Sequence, residues 1–174
     1  MKRLFIGLSP SDEEKQQIAL WRHHHLSSNF GEKFRSVDKG NFHITLSFIG
    51  AIESEQLVNL IDTIERIEKP KCSISLNQLD CWAKPKVLFL TSISTVESIQ
   101  KLAANVIAAV RSNDIFQEER PYIPHLTLCR KAKTAPIVTE AFKFKLDFQQ
   151  CHLFESVPTD TGVQYNIIYT WPLS

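Results

Sequence analysis

The chain has 174 residues, of which 43% are hydrophobic and 22% are charged, so it can bury one sizeable core. Basic and acidic side chains nearly balance, and the formal net charge of +1 argues against a protein that coats long nucleic acid through a broad basic face. No segment approaches the length of a membrane span, and the first apolar run is too short for a signal peptide.

The four cysteines are widely spaced and form no C-x-x-C pair, which argues against a zinc ribbon or a redox motif. Free thiols in a reducing compartment fit this spacing better than a disulfide framework does. We therefore expect a cytoplasmic protein. The cysteines are Cys72, Cys81, Cys129 and Cys151.

The first half of the chain begins with a strand, Arg3 to Leu8. Ser11 followed by Glu14 is a capping box, which predicts a helix that ends near Leu26. A segment of apolar and polar residues from Asn41 to Ile49 predicts the next strand.

The middle of the chain alternates helices with short strands. Ser54 is predicted to cap a second helix, and the alternation in Cys72–Leu76 predicts a half-buried strand. Val87–Thr91 is apolar and rich in strand-forming residues. Ser94 with Glu97 predicts a second capping box and a third helix.

Three further strands are predicted, over Ile123–Cys129, Phe142–Phe154 and Gln164–Trp171. Together with the preceding elements they indicate an α+β fold of two packed sheet-and-helix lobes. Because no linker is long or rich in glycine and serine, we expect a single domain over residues 1–174.

The same short motif occurs once in each half, as His43-Ile44-Thr45-Leu46 and as His125-Leu126-Thr127-Leu128. In a strand, a histidine and a threonine two residues apart point to one face while the apolar residues point to the other. A single copy is more often structural than functional. Two copies across a cleft would supply a general acid and a general base near neutral pH.

Other candidates surround the two motifs. Arg130, just past the second motif, is either a phosphate ligand or a surface arginine at the end of a strand. Tyr122, Phe5 and Tyr165 could stack on a base, or could be core or rim aromatics. Walker A and G-x-G-x-x-G patterns are absent, so the sequence supports neither ATP nor NAD chemistry.

These residues resemble the two-histidine (2H) phosphoesterase superfamily, and most closely its bacterial RNA 2′,3′-cyclic phosphodiesterases, the LigT-like or ThpR proteins also called 2′-5′ RNA ligases. The likeness covers nearly the whole chain. It is carried by Arg3-Leu4-Phe5-Ile6, Asn41-Phe42-His43-Ile44-Thr45-Leu46-Ser47-Phe48-Ile49-Gly50, Pro124-His125-Leu126-Thr127-Leu128-Cys129-Arg130 and Trp171-Pro172-Leu173.

The resemblance implies a bilobal fold with pseudo-twofold symmetry, one motif in each lobe and a central groove between them. It also implies opening of a 2′,3′-cyclic phosphate at an RNA or oligonucleotide end to a 2′-phosphomonoester, without a metal or another cofactor. Carried over by position, His43 is the acid that protonates the 3′ oxygen and His125 the base for water. Thr45, Thr127 and Arg130 are implied to bind the phosphate.

The chain departs from the family where a basic residue often precedes a tyrosine before the last strand. Here the segment is Gly162-Val163-Gln164-Tyr165, with Gln164 in place of the arginine. This departure affects the expected contacts to the nucleotide or RNA end more than the histidine pair.

Two alternatives stay open on the sequence. One keeps the chemistry and changes the substrate, to another small cyclic phosphate or a 2′-5′ oligonucleotide. The other is a non-catalytic module that binds RNA ends. In each case we expect a monomer that uses neither a membrane nor a metal. The reverse reaction, a 2′-5′ ligation, would use the same site.

Overall fold

The computed structural model describes residues 3–29, 34–160 and 162–174. Three α-helices lie within these residues, and they are α1 (Asp12–Leu26), α2 (Ser54–Arg66) and α3 (Glu97–Arg111). The strands are β1 (Arg3–Leu8), β2 (Arg35–Ser36), β3 (Ile44–Gly50), β4 (Cys72–Leu76), β5 (Gln78–Trp82), β6 (Val87–Thr91), β7 (His125–Arg130), β8 (Phe144–Phe148), β9 (Gln150–Thr159) and β10 (Gly162–Pro172).

Most strands join one antiparallel sheet in the order β10-β9-β1-β3-β7-β6-β5, with β2 beside β7. In the described residues, β4 and β8 form a separate two-stranded sheet. Helix α3 packs on β3 and β4, while α2 packs on α3 and α1 lies beside β8. The α+β fold class predicted from the sequence is confirmed.

The two motif strands are neighbours at the centre of the large sheet. β3 and β7 run antiparallel, and the residues that pair are Ile44 and Leu126, the same position in each motif. A twofold pseudo-axis therefore passes between them. The motifs lie edge to edge in one continuous sheet, with one half of the sheet on each side.

Both motif strands are bulged at the last leucine of the motif. β1 pairs Gly7 with Thr45 and the preceding residue with Ser47, so Leu46 is an extra residue in β3. The pairing of β6 with β7 passes over Leu128 in the same way. A bulge interrupts the alternation of side chains, so residues beyond it change face.

Glycine at position 7 allows β1 to approach the first motif closely. A Cβ atom at Gly7 would lie 2.8 Å from the backbone oxygen of Ile44, closer than real contacts of that kind. Any larger residue would push β1 away from the strand that follows His43.

Helix α1 begins as the sequence predicts. The backbone N–H of Glu14 donates to Ser11 Oγ at 3.2 Å, and the N–H of Ser11 donates to Glu14 Oε2 at 2.7 Å. The predicted caps of the other two helices are wrong. Their N-cap residues are Glu53 and Val96, and neither makes a side-chain cap hydrogen bond.

Several predicted strand bounds also need correction. The first motif strand begins at Ile44 rather than Asn41, because Lys39–Asn41 forms a 3₁₀ turn in which the N–H of Gly40 donates to the side chain of Asp38. The second motif strand begins at His125. The segment predicted as one strand after Phe142 is two, β8 and β9.

Strand β5 was not predicted. Its residues are half-buried or exposed without a regular alternation, so the sequence carries no clear period of two. Separately, no helix in the described part of the chain is long and apolar enough to cross a membrane.

Candidate active site

His43 is held at both ring nitrogens. Its Nδ1–H donates to the backbone oxygen of Asn41 at 2.7 Å. Its Nε2 lies 3.0 Å from Oγ1 of Thr45, the threonine of the same motif. The contact across two residues of the strand follows from the shared face on which both side chains lie.

His125 is anchored in the same way. Its Nδ1–H donates to the backbone oxygen of Ile123 at 2.8 Å, again two residues before the histidine. A carbonyl oxygen only accepts, so each Nδ1 carries the proton, and Nε2 of each neutral ring is the nitrogen that can accept one. The duplicated motif therefore anchors both rings through Nδ1, and the Nε2 atom of His43 also contacts Thr45.

Aromatic side chains surround each imidazole. The centroids of Phe5 and Tyr165 lie 4.8 Å and 5.0 Å from that of His43. Those of Trp82 and Phe89 lie 4.6 Å and 5.4 Å from that of His125. These aromatic contacts hold both rings in place and leave both histidines half-buried.

These surroundings disfavour the charged form of both rings. Burial lowers the pKa of His43 to about 4, and the charges of His125 and Arg130 act in the same direction, against the bond to Asn41. Burial also lowers the pKa of His125, and nearby arginine charges add to this effect. Both imidazoles are therefore neutral at pH 7 in the unliganded protein.

Two cavities open beside the motif strands, and each contains a histidine of one motif and the threonine of the other. The first, of about 740 Å³, is lined by His43 and Thr127. The second, of about 710 Å³, is lined by His125 and Thr45. This crossing follows from the antiparallel pairing about the pseudo-axis, which sets each histidine opposite the other motif's threonine.

The two cavities differ at one equivalent position. Arg130 lines the first cavity, and Phe48, which holds the same place relative to the first motif, lines the second. We call them the basic cavity (His43, Thr127, Arg130 and their neighbours) and the apolar cavity (His125, Thr45, Phe48 and their neighbours). The pseudo-symmetric sheet thus carries an asymmetric pair of cavities, one suited to an anion.

Arg130 reaches the basic cavity because of the bulge at Leu128. It is an odd number of residues after His125, and a regular strand would put it on the opposite face. The bulge restores it to the face of His125 and Thr127. The charge of Arg130 also contributes to the low pKa of both histidines, so it lies near both.

The remaining residues predicted from the sequence take different places. Phe5 is 4% exposed and stacks on Phe154, so its ring is part of the packed wall behind His43. The hydroxyl of Tyr122 donates to the backbone oxygen of Thr45 at 3.0 Å and ties the approach to β7 to β3. Tyr165 is half-buried and lines the basic cavity, where one side of its ring can meet a ligand.

Asn41 is a positioning residue that the sequence reasoning missed. Besides holding His43 through its carbonyl, it donates from Nδ2 to the backbone oxygen of Val163 at 2.7 Å. Its Oδ1 accepts from the N–H of Tyr165 at 3.0 Å. Asn41 thereby fixes β10 against the first motif. The signal in the sequence was an asparagine two residues before the histidine.

Arg22 on α1 was also missed. Its guanidinium donates to the backbone oxygen of Leu128 at 3.0 Å and to that of Val37, and it lies over the ring of Phe42. These contacts fix the bulge that turns Arg130 toward the cavity.

Metal-binding groups are not assembled at this site. Across residues 3–29, 34–160 and 162–174, no three histidine, cysteine or acidic side chains lie close enough to hold an ion together.

Comparison with known proteins agrees with this geometry. Residues 8–89 match the family model described as LigT like Phosphoesterase. An RNA 2′,3′-cyclic phosphodiesterase of Escherichia coli (strain K12) is 27% identical over 174 residues, which cover 99% of this chain and 97% of that protein. The chain is thus similar to the LigT-like phosphoesterases, by the family model over its first half and by this relative over nearly its whole length.

The likeness to LigT-like proteins extends over both motifs. The crystal structure of E. coli LigT complexed with 3′-AMP has a TM-score of 0.89 at 26% identity, with 99% of this chain and 98% of that chain covered. An RNA 2′,3′-cyclic phosphodiesterase of Methanocaldococcus jannaschii is 26% identical, over 97% of this chain and 99% of that protein.

Proposed function

We propose that this phosphodiesterase opens 2′,3′-cyclic phosphates at RNA ends to 2′-phosphomonoesters through its two histidines. The observation that carries the proposal is the shared Nδ1 anchoring of His43 and His125, with the charge of Arg130 acting on both rings. The curated relatives named RNA 2′,3′-cyclic phosphodiesterase support the same substrate.

The proposed step moves one proton at each histidine. Nε2 of His125 takes a proton from water as the water oxygen bonds to phosphorus. The bond from phosphorus to O3′ breaks, and protonated Nε2 of His43 gives its proton to O3′. The product keeps its phosphate on O2′, and the two histidines have exchanged protonation states.

Thr45, Thr127 and Arg130 are proposed to bind the non-bridging phosphate oxygens. Arg130 supplies a fork of donors, and the two hydroxyls donate without adding charge. Thr45 is buried and already lies within hydrogen-bond distance of His43 Nε2, so it would also orient the ring of the acid.

The proposal includes a nucleotide in this cleft, a monomeric protein and a cytoplasmic reaction that needs no metal. E. coli LigT has been crystallised with 3′-AMP and with NADP⁺, which supports the nucleotide. All four cysteines are free thiols, as is usual in a reducing compartment.

The test is to incubate the protein in EDTA with an oligonucleotide that ends in a 2′,3′-cyclic phosphate, and to assign the product end. We expect a 2′-phosphate from the wild type. Replacing either histidine, as His43→Ala or His125→Ala, should lower turnover by about 10²–10⁴. His24→Ala, on the last turn of α1, is the matched control.

Three results would contradict parts of the proposal. A 3′-phosphate product would show that the bond from phosphorus to O2′ breaks instead of the bond to O3′. Activity that returns only with a divalent ion would exclude the metal-free route. Tight binding of the RNA end without turnover would favour a binding module. If the protein turned over only other cyclic phosphates or 2′-5′ oligonucleotides, the proposed reaction type would stand and the proposed substrate would be wrong.

The apolar cavity favours a second reaction at the same site, 2′-5′ ligation. It opens on the side of the proposed base and is far larger than one water molecule needs. Phe48 is 58% and Phe116 is 85% exposed there, and large exposed apolar side chains grouped together mark binding surfaces. A nucleoside with a free 5′-hydroxyl could take the place of water.

In that reaction the 5′-oxygen bonds to phosphorus, its proton goes to His125, and O3′ leaves with the proton of His43. Adding a 5′-hydroxyl oligonucleotide should divert part of the product into a 2′-5′ linkage. Phe48→Ala should reduce that share and leave hydrolysis nearly unchanged. An unchanged share in the variant would exclude the apolar cavity as the acceptor site.

A further inference from the structure

The loop between α3 and β7, residues 112–124, is attached to the first motif strand by the side chain of Gln117. The hydroxyl of Ser47, a buried residue of β3, donates to Oε1 of Gln117 at 2.7 Å. Nε2 of Gln117 donates to the backbone oxygens of Phe48 and Phe116, at 2.6 and 2.8 Å. One amide therefore joins two residues of β3 to the loop through both its oxygen and its nitrogen.

The second motif strand is supported at the equivalent place by another strand. Just beyond the bulge in β7, Cys129 pairs with Ser36 of β2. Ser47 holds the same place after its histidine as Cys129 does. In the described part of the chain, however, β3 pairs with β7 only at Ile44, and no strand follows that edge of β3 farther. The amide of Gln117 thus takes the position at β3 that β2 takes at β7.

This difference places the apolar cavity between β3 and the α3–β7 loop. Residues 45–50 of β3 line one side of the cavity, and several residues of the loop line another. Phe48 and Phe116 both line it with exposed side chains, and their backbone oxygens accept from the same nitrogen of Gln117. Gln117 therefore fixes the relative position of these two phenylalanines.

The apolar cavity offers little net charge to an occupant. Among the described residues that line it, Lys84, Glu118 and Arg120 have charged side chains. Nη1 of Arg120 lies 3.4 Å from Oε2 of Glu118, so these two charges offset each other. His125, the proposed base, lines the same cavity. The chemistry that fits is an uncharged group with an aromatic surface and a hydroxyl that can reach His125.

We infer that Gln117 positions Phe48 and Phe116 to bind the base of an acceptor nucleoside in the 2′-5′ ligation. The inference rests on the proposed function and adds that the acceptor is recognised through its base. Aromatic side chains bind bases by stacking on their faces, which needs no charge. Because Gln117 acts through two phenylalanines, it is a positioning residue. Hydrolysis uses water in place of the nucleoside and should not depend on it.

The test compares two acceptors, with and without a base. Adenosine and methyl β-D-ribofuranoside both offer a 5′-hydroxyl, and each is supplied with an oligonucleotide that ends in a 2′,3′-cyclic phosphate. The proteins are the wild type, Gln117→Met and Gln56→Met, since methionine keeps the length of the side chain and removes the amide. Gln56 is the matched control because it is half-buried and donates to a backbone oxygen, that of Asn113 at 3.0 Å, outside the cavity.

We expect the wild type and Gln56→Met to prefer adenosine about tenfold in kcat/KM for ligation, with most of the preference in the KM of the acceptor. Gln117→Met should lose most of this preference and keep the rate of hydrolysis measured without an acceptor. An equal preference in the wild type and in Gln117→Met would overturn the inference. So would an equal fall in hydrolysis and ligation, since Gln117 would then support the whole site.

Ser47→Ala gives a second variant that leaves Gln117 in place. It removes the hydroxyl that Oε1 accepts and keeps the two contacts of Nε2. We expect a preference between those of the wild type and Gln117→Met, with the melting temperature as the check on folding. A preference as low as that of Gln117→Met would show that the contacts of Nε2 do not position the phenylalanines.

A binding measurement separates this inference from the ligation itself. Trp82 lines the apolar cavity, so its fluorescence reports adenosine bound there without turnover, and Trp82→Phe shows whether the signal comes from this cavity. If no ligation occurs, the second reaction proposed above fails, and binding alone decides the inference. It then fails if adenosine binds no more tightly than methyl β-D-ribofuranoside, or equally tightly to the wild type and Gln117→Met.

Discussion

At the scale of single residues, the site depends on how each histidine is held rather than on its presence alone. Both Nδ1 atoms donate to the carbonyl two residues earlier, and both rings are packed between aromatic side chains. The same burial that fixes the rings lowers their pKa values. Whichever histidine donates a proton in the proposed reaction must therefore be protonated although burial favours its neutral form.

This pKa shift predicts different pH profiles for kcat/KM and kcat. In the free protein the pKa of His43 is about 4 and that of His125 is below its usual value, so the form with one proton on the pair is depleted as pH rises. We expect kcat/KM to fall about tenfold per pH unit above 6.5. Bound phosphate is anionic and raises both pKa values, so the fall in kcat should occur at higher pH.

The measurement is a pair of initial-rate profiles from pH 4.5 to 9 at constant ionic strength. Identical profiles for kcat and kcat/KM would contradict a histidine pair that is neutral until substrate binds.

At the scale of the elements, one of the three serine caps predicted from the sequence forms, and the other two do not. The capping box at Ser11 forms, whereas Ser54 is the first residue of α2 and Ser94 lies before the N-cap of α3. A serine near the start of a helix is a cap only if the chain enters the helix at that residue.

Ser11→Ala should therefore cost about 1 kcal/mol of unfolding free energy, because two N–H groups at the start of α1 lose or loosen their partners. Ser54→Ala and Ser94→Ala should each change it by less than about 0.5 kcal/mol. Urea denaturation of the three variants checks this, and equal costs would contradict the difference between the caps.

A lysine after α2 makes a second element-scale prediction. Lys69 is 7% exposed, and its Nζ donates to the backbone oxygens of Ile64, Glu65 and Ile67 at 2.9, 2.7 and 3.0 Å. It satisfies the carbonyl groups that the end of a helix leaves without partners, and its charge suits the helix dipole. Lys69→Met should cost about 2–3 kcal/mol.

Chemical denaturation of Lys69→Met beside Lys71→Met measures this cost. Lys71 is exposed and nearby, so its loss should be close to neutral. If both variants lost the same stability, the three carbonyl contacts of Lys69 would not be its source.

At the scale of the whole molecule, the two halves share one sheet and one core. The core contains buried side chains from both halves, and β3 and β7 join them at Ile44 and Leu126. The pseudo-twofold relation of the motif strands sets the histidines opposite the threonines, while Arg130 and Phe48 make the two cavities chemically unequal.

We therefore expect one cooperative unfolding transition, as for a single domain. Far-UV circular dichroism and tryptophan fluorescence should report the same midpoint. Trp82→Phe removes the tryptophan near His125 and leaves Trp21 and Trp171, so the fluorescence transition should keep its coincidence with the dichroism signal. Two separated transitions would show that the halves unfold independently.

The sequence by itself determined the repeated motif and most helices and strands, because period and repetition are properties of the chain. Only the tertiary structure decided which other side chains surround the two motifs and which way they point. The direction of Arg130 depends on a bulge in its pairing with β6, and the contacts of Asn41 depend on β10, a strand distant in sequence. Contacts of that kind arise from strand pairing and burial, which no local pattern encodes.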